Sequence, residues 1–445
     1  DQYIIDFFPS IPAKAMVKFG RQKSSWKNII RLPKVSLIKR LFLLCTSVLA
    51  FYYVFIQNNI VTVYRDEISY RKNNDKTPVV TIAYAISLTA CSDRLIDGAA
   101  VLRHSIRLSS QPHNPNSRYC HQMYAFVHPT AMSCGKAPLE KLGYTVLEKE
   151  TPIDPNEIRG DFLREHVVKT GCCGEKEFLK LYAYTLMDHP VVVHLDLDSL
   201  VLSPLDDLFD AMLLPASSSF ASPNIPTMFD RPLPQRIEAF FTRDYNMVNL
   251  GKEDVGVQGG FLVVRPSMEY FEEYKQIILE GNFVSGAGWD RKYGGYFGAQ
   301  QIQGLCAYFF DGVHPGTAVE LNRCIYNQMV DNPKRKTKSG EAKCLDLTDH
   351  CEDCRKTDIS KIKLAHFTIC QKPWLCPTGH ITGNNIIAPL CRELHQHWFL
   401  VRKDFDEYRG MSSETIGIGS HMSDVYHGYC KSSGKGYIPI ELDIE

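Results

Sequence analysis

The sequence predicts an α/β domain built on a mostly parallel sheet. Two continuous apolar runs, at residues 79–86 and 191–195, are typical of strands that are buried on both faces. Between them, residues 98–108 and 177–187 place apolar side chains at helical spacing. Strands that alternate with helices favour a parallel sheet, in which ligands bind beyond the carboxyl ends of the strands.

The first 78 residues predict a membrane anchor with its flanking segments. Residues 1–40 form a basic tail, residues 41–62 are mostly apolar, and residues 63–78 form a polar stem. The apolar run approaches the length of a bilayer span, and the positive-inside rule then keeps the tail in the cytosol. We therefore predict a single-pass type II protein of the Golgi or endoplasmic reticulum membrane with a luminal catalytic domain. A cleaved signal peptide and a buried core helix are the alternatives.

The remaining residues divide into a predicted catalytic domain at 79–395 and a C-terminal extension at 396–445. Within the domain, further strands are predicted at 124–127, 145–147 and 261–264, and a further helix at 269–279. Lys and Arg together balance Asp and Glu at 50 each. This balance gives no indication of a nucleic-acid partner.

The chain contains fifteen cysteines, which is a high count for a cytosolic enzyme. It indicates an oxidising compartment in which several of them form disulfides, although the sequence does not give the pairing. A zinc site that includes Cys351 and Cys354 is the alternative. The adjacent residues Cys172 and Cys173 are predicted to have a structural role.

Two aspartates, Asp196 and Asp198, directly follow the apolar run at 191–195. Residues at positions i and i+2 share one face of a strand, so both carboxylates would point into the crevice at the strand end. Carboxylates this close repel each other unless a cation lies between them. Mg²⁺ or Mn²⁺ is the natural cation, with diphosphate oxygens as further ligands. Two solvated loop aspartates, and a phosphohydrolase with Asp196 as its nucleophile, are the alternatives.

Several sequence blocks resemble, in the same order, those of the glycogenin-like retaining glycosyltransferases of family 8. The blocks are Gly98-Ala-Ala-Val-Leu, Lys180-Leu-Tyr-Ala-Tyr, Asp196-Leu-Asp198-Ser-Leu-Val-Leu, Gly259-Gly260-Phe-Leu-Val-Val and His366-Phe-Thr-Ile-Cys-Gln-Lys372-Pro373-Trp374. The resemblance covers residues 79–374. It implies a GT-A fold, which is a Rossmann-like domain that binds nucleotide-diphospho-sugars.

The resemblance also implies roles for individual residues. His366 would be the third metal ligand beside Asp196 and Asp198, and an imidazole ligand favours Mn²⁺ over Mg²⁺. Lys372 would assist departure of the diphosphate, and Gln303 would act on the sugar side. Contacts with the donor are implied for Thr89, Ser92, Asp93, Lys180, Gln258, Gly259, Gly260, Gln300, Gln303 and Lys372.

The implied activity is transfer of a hexose from a UDP-sugar to a hydroxyl of a glycan or protein, with retention of anomeric configuration. The sequence departs from the family at Gln258, where Asn is usual, and at Ile302, where an acidic residue precedes Gln303. Loss of that acidic residue supports a further alternative, which is a nucleotide-sugar-binding or scaffold protein without catalytic activity.

Overall fold

The computed structural model describes residues 80–214, 225–229, 231–376, 389–411, 426–430 and 436–442. These residues all belong to one unit, Lys76–Glu445. The predicted tail, anchor and stem lie outside the described residues. Within the described ranges, no helix is both long enough and apolar enough to cross a bilayer.

A seven-stranded sheet forms the centre of the domain, with the strand order β10-β6-β7-β4-β1-β2-β3. Its strands are β1 Thr81–Leu88, β2 Cys120–Val127, β3 Thr145–Glu148, β4 Val192–Leu195, β6 Ala239–Arg243, β7 Val257–Val264 and β10 Ala318–Glu320. Strand β7 is antiparallel to both of its neighbours, and the other neighbouring pairs are parallel. The predicted α/β architecture with a mostly parallel sheet is therefore confirmed.

Strand β1 shows why the sequence forms a sheet that is covered on both sides. Ile82, Tyr84 and Ile86 belong to the apolar cluster on one face of the sheet. Ala83 and Ala85 belong to the cluster on the other face. Because side chains alternate along a strand, a continuous apolar run supplies both cores at once.

Helices cover the two faces of the sheet. They are α1 Asp93–Leu108, α2 Pro129–Lys141, α3 Asp161–His166, α4 Asp206–Leu213, α5 Met268–Glu280, α6 Ile302–Tyr308, α7 Arg323–Tyr326 and α8 Pro389–Tyr408. The segment predicted as an α-helix at 177–187 is instead a 3₁₀-helix, Gly174–Thr185. Side chains three residues apart eclipse each other in a 3₁₀-helix, which places Glu177 and Lys180 side by side.

Three two-stranded ribbons complete the described strands. They are β5 Ser199–Val201 with β13 Leu364–His366, β8 Phe283–Val284 with β9 Gly288–Trp289, and β11 Lys334–Lys336 with β12 Ala342–Cys344. The β5–β13 ribbon joins the middle of the chain to a segment more than 160 residues later. It is the element that assembles the site described below.

Helix α8 packs against α1 through a buried arginine. Arg402 is 3.2 Å from Asp97 of α1 and 3.1 Å from Asp406 of its own helix. The predicted boundary between residues 395 and 396 falls inside this helix.

Ten of the cysteines form five disulfides, as the composition predicts. The pairs are Cys91–Cys134, Cys324–Cys354, Cys344–Cys351, Cys370–Cys391 and Cys376–Cys430. Cys351 and Cys354 therefore belong to two different disulfides, and the alternative prediction of a zinc site that includes both is wrong. Disulfide sulfurs have no thiolate to offer a metal ion.

Candidate functional site

A tight turn between β4 and β5 carries the aspartate pair. The Asp196 N–H donates to the Gly260 carbonyl of β7 at 3.0 Å, and the Ser199 N–H donates to the Asp196 carbonyl at 3.1 Å. The turn thus lies at the carboxyl end of β4, where the sequence places it. It presents both carboxylates at this edge of the sheet.

His366 reaches the aspartates because it is the last residue of β13 and lies opposite Ser199 in the β5–β13 ribbon. The following N–H, of Phe367, donates to the Asp198 carbonyl at 2.9 Å. The His366 imidazole is only 2% exposed. Its Nε2 atom lies 3.5 Å from Asp198 Oδ1 and 4.0 Å from Asp196 Oδ2.

Each of the two carboxylates also contacts a lysine through its other oxygen. Lys180 Nζ lies 2.9 Å from Asp196 Oδ1, and Lys372 Nζ contacts Asp198 Oδ2. Burial would raise the pKa of Asp196, but Lys180 and His366 hold the pKa below its ordinary value. Burial would likewise raise the pKa of Asp198, and His366 and Lys372 lower it strongly. Both carboxylates are therefore anionic at neutral pH.

The three remaining ligand atoms fit a divalent cation. One oxygen from each of Asp196 and Asp198 and one nitrogen of His366 all lie within 4.8 Å of one another. Neighbouring ligands of an octahedral cation with bonds of about 2.1 Å are about 3 Å apart, close to the separations of 3.5 and 4.0 Å given above. Two carboxylate oxygens and one imidazole are a donor set that Mn²⁺ and Mg²⁺ accept, with the imidazole favouring Mn²⁺.

Because Gly260 has no side chain, it leaves room for the three ligand atoms to converge. A Cβ atom at this position would lie 2.4 Å from His366 Cε1 and 2.8 Å from Asp196 Oδ2. Both distances are far below van der Waals contact, so any larger residue would displace a ligand. The neighbouring Gly259 is different, since its Cβ would meet no atom closer than 3.4 Å.

A cavity of about 190 Å³ adjoins the aspartates. Its lining brings together many of the predicted site residues and several others: Gly171, Cys172, Glu177, Lys180, Asp196, Asp244, Met247, Gln258, Gly259, Gly260, Phe297, Gly298, Gln301, Ile302, Gln303, His366, Thr368 and Lys372. Gln258 Oε1 accepts hydrogen bonds from the Gly260 N–H at 2.6 Å and from Asn327 Nδ2 at 3.4 Å. This side chain therefore also supports the wall in which Gly260 lies.

Some of the other predicted donor contacts are not lining residues of this cavity. Among the described residues, the cavity lining does not include Thr89, Ser92 or Gln300. Thr89 and Ser92 lie in the loop between β1 and α1, and Asp93 begins α1. The Gln300 amide oxygen accepts a hydrogen bond from Thr170 at 3.2 Å.

Lys180 faces the cavity but is already fully engaged by the protein. Its ammonium group lies 2.9 Å from both Glu177 and Asp196, and it donates to the Gly259 carbonyl at 3.1 Å. Burial would lower the pKa of Lys180, but the two carboxylates raise it well above its ordinary value. These contacts make Lys180 a support for Asp196.

Asp244 is a cavity residue that the sequence analysis missed. It directly follows β6, and its side chain is almost fully buried. Burial and the nearby Asp331 carboxylate raise the pKa of Asp244 to about 6 against the positive charge of His366, and Asn246 and Gln303 lie beside the carboxylate. The rule that led to Asp196, an acidic residue directly after a buried strand, would have found Asp244 if β6 had been predicted.

The position of Asp244 bears on the missing acidic residue at Ile302. Ile302 is fully buried, lines the cavity and lies 3.4 Å from the Cβ position of Gly259. It contributes an apolar wall. The cavity nevertheless contains a carboxylate, that of Asp244, which directly follows β6 and lies beside Gln303.

Comparison with known proteins finds no matching protein family and no matching curated protein. Solved structures with some likeness to this chain include mouse xyloside xylosyltransferase 1 in its apo form, at 13% identity over 65% of this chain and 97% of that chain, with a TM-score of 0.36. The galactosyltransferase LgtC, in complex with donor and acceptor sugar analogues, is 12% identical over 74% of this chain and 99% of that chain, with a TM-score of 0.38.

The bifunctional glycosyltransferase WbbM is 14% identical over 68% of this chain, with a TM-score of 0.35. The chain spans about half of WbbM, 48% of its length. Likeness at these identities and scores carries no argument about activity. The case for function therefore rests on the site itself.

Proposed function

We propose that this chain is a metal-dependent glycosyltransferase that uses a nucleotide-diphospho-sugar donor. The observation that carries the proposal is the arrangement of Asp196, Asp198 and His366. One ligand atom from each converges at the carboxyl edge of the sheet, while a lysine neutralises the other oxygen of each carboxylate. When bound there, Mn²⁺ or Mg²⁺ would supply positive charge for the diphosphate.

The protein's own residues would hold the donor around that point. Lys372 lines the cavity and is partly exposed, so its positive charge would stabilise a bound diphosphate. Asp244 and Gln303 would accept and donate hydrogen bonds to sugar hydroxyls, since both line the cavity. Lys180 would hold Asp196 in place through its contact with Oδ1.

The finer assignments rest on the sequence blocks that resemble family 8. They are a UDP-sugar donor, a hexose as the transferred group, retention of configuration, and a glycan or protein hydroxyl as acceptor. The apolar run at 41–62 supports a membrane anchor of the Golgi or endoplasmic reticulum. The five disulfides fit a luminal location for the folded part of the chain.

The geometry favours sugar transfer over the two alternatives. A phosphohydrolase that uses Asp196 as a nucleophile has no need for an imidazole brought from β13, whereas here His366 lies 4.0 Å from Asp196 and 3.5 Å from Asp198. Ile302 is the feature that favours an inactive protein, and Asp244 supplies a carboxylate in the same cavity.

The test is to incubate the purified full chain with UDP-sugars and Mn²⁺ and to measure release of UDP. We expect at least one UDP-sugar to be consumed and Asp198→Asn to abolish the release. Asp358→Asn is the matched control, because Asp358 is an exposed aspartate that caps a short 3₁₀-helix, Ile359–Lys361.

Three results would count against the proposal. Turnover that persists after chelation of the metal or in Asp198→Asn would exclude the metal role. Release of inorganic phosphate with covalent trapping of Asp196 would indicate the phosphohydrolase. Binding of UDP without any turnover would indicate the scaffold protein.

A further inference from the structure

Two free cysteines lie at the rim of the candidate donor cavity. Ten of the fourteen cysteines in the described part of the chain are in disulfides, whereas Cys172 and Cys173 are free thiols. Their sulfur atoms are only 2.8 Å apart, and Cys172 is exposed and lines the cavity. The sequence predicts a structural role for both, but in the structure neither holds two parts of the chain together through a disulfide.

The backbone around the two cysteines is shaped so that the sulfur atoms meet. Side chains of adjacent residues normally diverge, but this pair lies between Gly171 and Gly174, which have φ angles of +69° and +61°. A Cβ atom on Gly174 would also lie 2.7 Å from the Val168 carbonyl oxygen. Glycine is favoured at both positions, and the resulting turn directs both thiols to the same side.

We infer that Cys172 and Cys173 form a reversible thiol–disulfide pair, and that oxidation to a vicinal disulfide changes the wall of the donor cavity. The second half of this inference rests on the proposed function. The oxidant would be a low-molecular-weight disulfide such as glutathione disulfide, which can reach the exposed Cys172 and its neighbour.

The distance between the sulfur atoms favours a disulfide over a bound metal ion. Together with Glu177, the two thiols also form a group that could hold a soft cation. Two thiolates on one tetrahedral Zn²⁺, with Zn–S bonds of about 2.3 Å, would be about 3.8 Å apart. A disulfide bond is about 2.05 Å long. The observed 2.8 Å is nearer to a disulfide, about 0.75 Å from the bond length, than to the separation on zinc, about 1.0 Å away.

The neighbouring groups supply what thiol–disulfide exchange requires. The close contact with the Cys172 sulfur, at 2.8 Å, lowers the pKa of the Cys173 thiol, while Cys172 donates its own proton toward Glu177, so Cys173 is the nucleophile. Its thiolate attacks one sulfur of the small disulfide and displaces one small thiolate. Cys172 then gives its proton to Glu177, whose Oε1 is 3.0 Å away, and displaces the second thiolate from Cys173. Two protein thiols and one small disulfide thus become one protein disulfide and two small thiols.

The reverse reaction is favoured by the strain of such a bond. Consecutive Cα atoms are about 3.8 Å apart across a trans peptide, whereas disulfide-bonded residues are usually about 4.4–6.8 Å apart. Strained and exposed disulfides are the readily reduced ones. The pair therefore differs from the five structural disulfides of the chain.

Two contacts connect the pair to the cavity. Glu177, the proton acceptor, also pairs with Lys180, which in turn holds Asp196. On the other side, Thr170 accepts hydrogen bonds from the Gln301 amide at 2.7 and 3.0 Å, and Gln301 lines the cavity. Drawing the two sulfurs together moves the turn that carries both connections.

The test begins with the full chain equilibrated in glutathione buffers of increasing oxidising power. Free thiols are then trapped with a maleimide and the peptides are mapped by mass spectrometry. We expect the labels on Cys172 and Cys173 to disappear together and to return together on reduction. Cys120, a single free cysteine on β2, is the internal control and keeps its label.

Three labelling results would overturn the thiol–disulfide assignment. The first is full labelling of both cysteines in the most oxidising buffer. The second is separate loss of the two labels as stable glutathione adducts. The third is protection that a chelator removes, because it would show a bound metal ion.

The link to the cavity is tested by the affinity for UDP, measured by calorimetry. We expect the oxidised and reduced wild-type chains to differ at least threefold, and the Cys172→Ser, Cys173→Ser double variant to show no such difference. Equal affinities in the two wild-type states would overturn the link. Failure of UDP to bind in either state would overturn the link and the proposed function together, while the thiol exchange is still decided by labelling.

Discussion

Asp244→Asn is expected to stabilise the fold at neutral pH while impairing the site. The side chain is 3% exposed, and burial together with Asp331 raises its pKa from 3.8 to about 6. A shift of about two units means that ionising this carboxyl group costs about 3 kcal/mol more in the folded chain than in the unfolded chain. Because a neutral amide avoids this cost, the substitution should recover part of that free energy, at least about 1 kcal/mol.

The sign of the pH dependence follows from linkage. Between pH 4 and pH 6 the folded chain holds a proton on Asp244 that the unfolded chain has released, so stability falls as pH rises through this range. Below pH 4 both states are protonated and the cost disappears. Asp244→Asn should therefore match the wild type near pH 4 and exceed it at pH 7.5.

The assay is urea unfolding of both chains, with disulfides intact and metal removed, at pH 4 and pH 7.5. Asp406→Asn is the control, since Asp406 is equally buried but lies 3.1 Å from the buried Arg402. Its replacement removes one of the two carboxylate partners of that arginine and should destabilise the fold. A gain for Asp244→Asn that is equal at both pH values, or absent at pH 7.5, would refute the reasoning.

The remaining predictions concern the metal cluster and its supports. Gly260→Ala should weaken Mn²⁺ binding at least tenfold in calorimetry, because its Cβ would meet His366, whereas Gly259→Ala should bind nearly normally. Lys180→Met should cost about 3 kcal/mol in urea unfolding, since it leaves two carboxylates without their cation. Lys275→Met is the control, because Lys275 pairs with Glu272 at the surface, and it should cost less than about 1 kcal/mol. Finally, UDP should raise the affinity for Mn²⁺ at least tenfold, and Mn²⁺ should raise that for UDP by the same factor. Independent affinities would contradict this last expectation.

The parts of the site that the sequence predicted well are those set by local patterns. The aspartate pair could be placed because five apolar residues precede it and parallel strands end at one edge of the sheet. The convergence of His366 with that pair has no local signal. It depends on the β5–β13 ribbon, and only the resemblance to a known family indicated it in advance.

The parts that were missed depend on tertiary packing. Strand β6 has five residues and follows a long segment rich in proline, so its pattern did not distinguish it from a loop. Asp244 was missed with it. Lys180 was predicted to contact the donor, but three protein groups already surround its ammonium group. The sequence could not show this, because Asp196 in the turn after β4 and Gly259 in β7 are far from Lys180 along the chain.

The charges of the site explain why cation and diphosphate should bind together. Lys180 and Lys372 already balance Asp196 and Asp198 in the free protein, so the carboxylates do not need a metal ion in order to remain anionic. Because Glu177 shares Lys180 with Asp196, the three carboxylates and two lysines carry a net charge of −1, and a divalent cation alone would change it to +1. A diphosphate alone would face two carboxylates. The cluster keeps the net charge of the free protein only when the cation and the two negative charges of a diphosphate bind together.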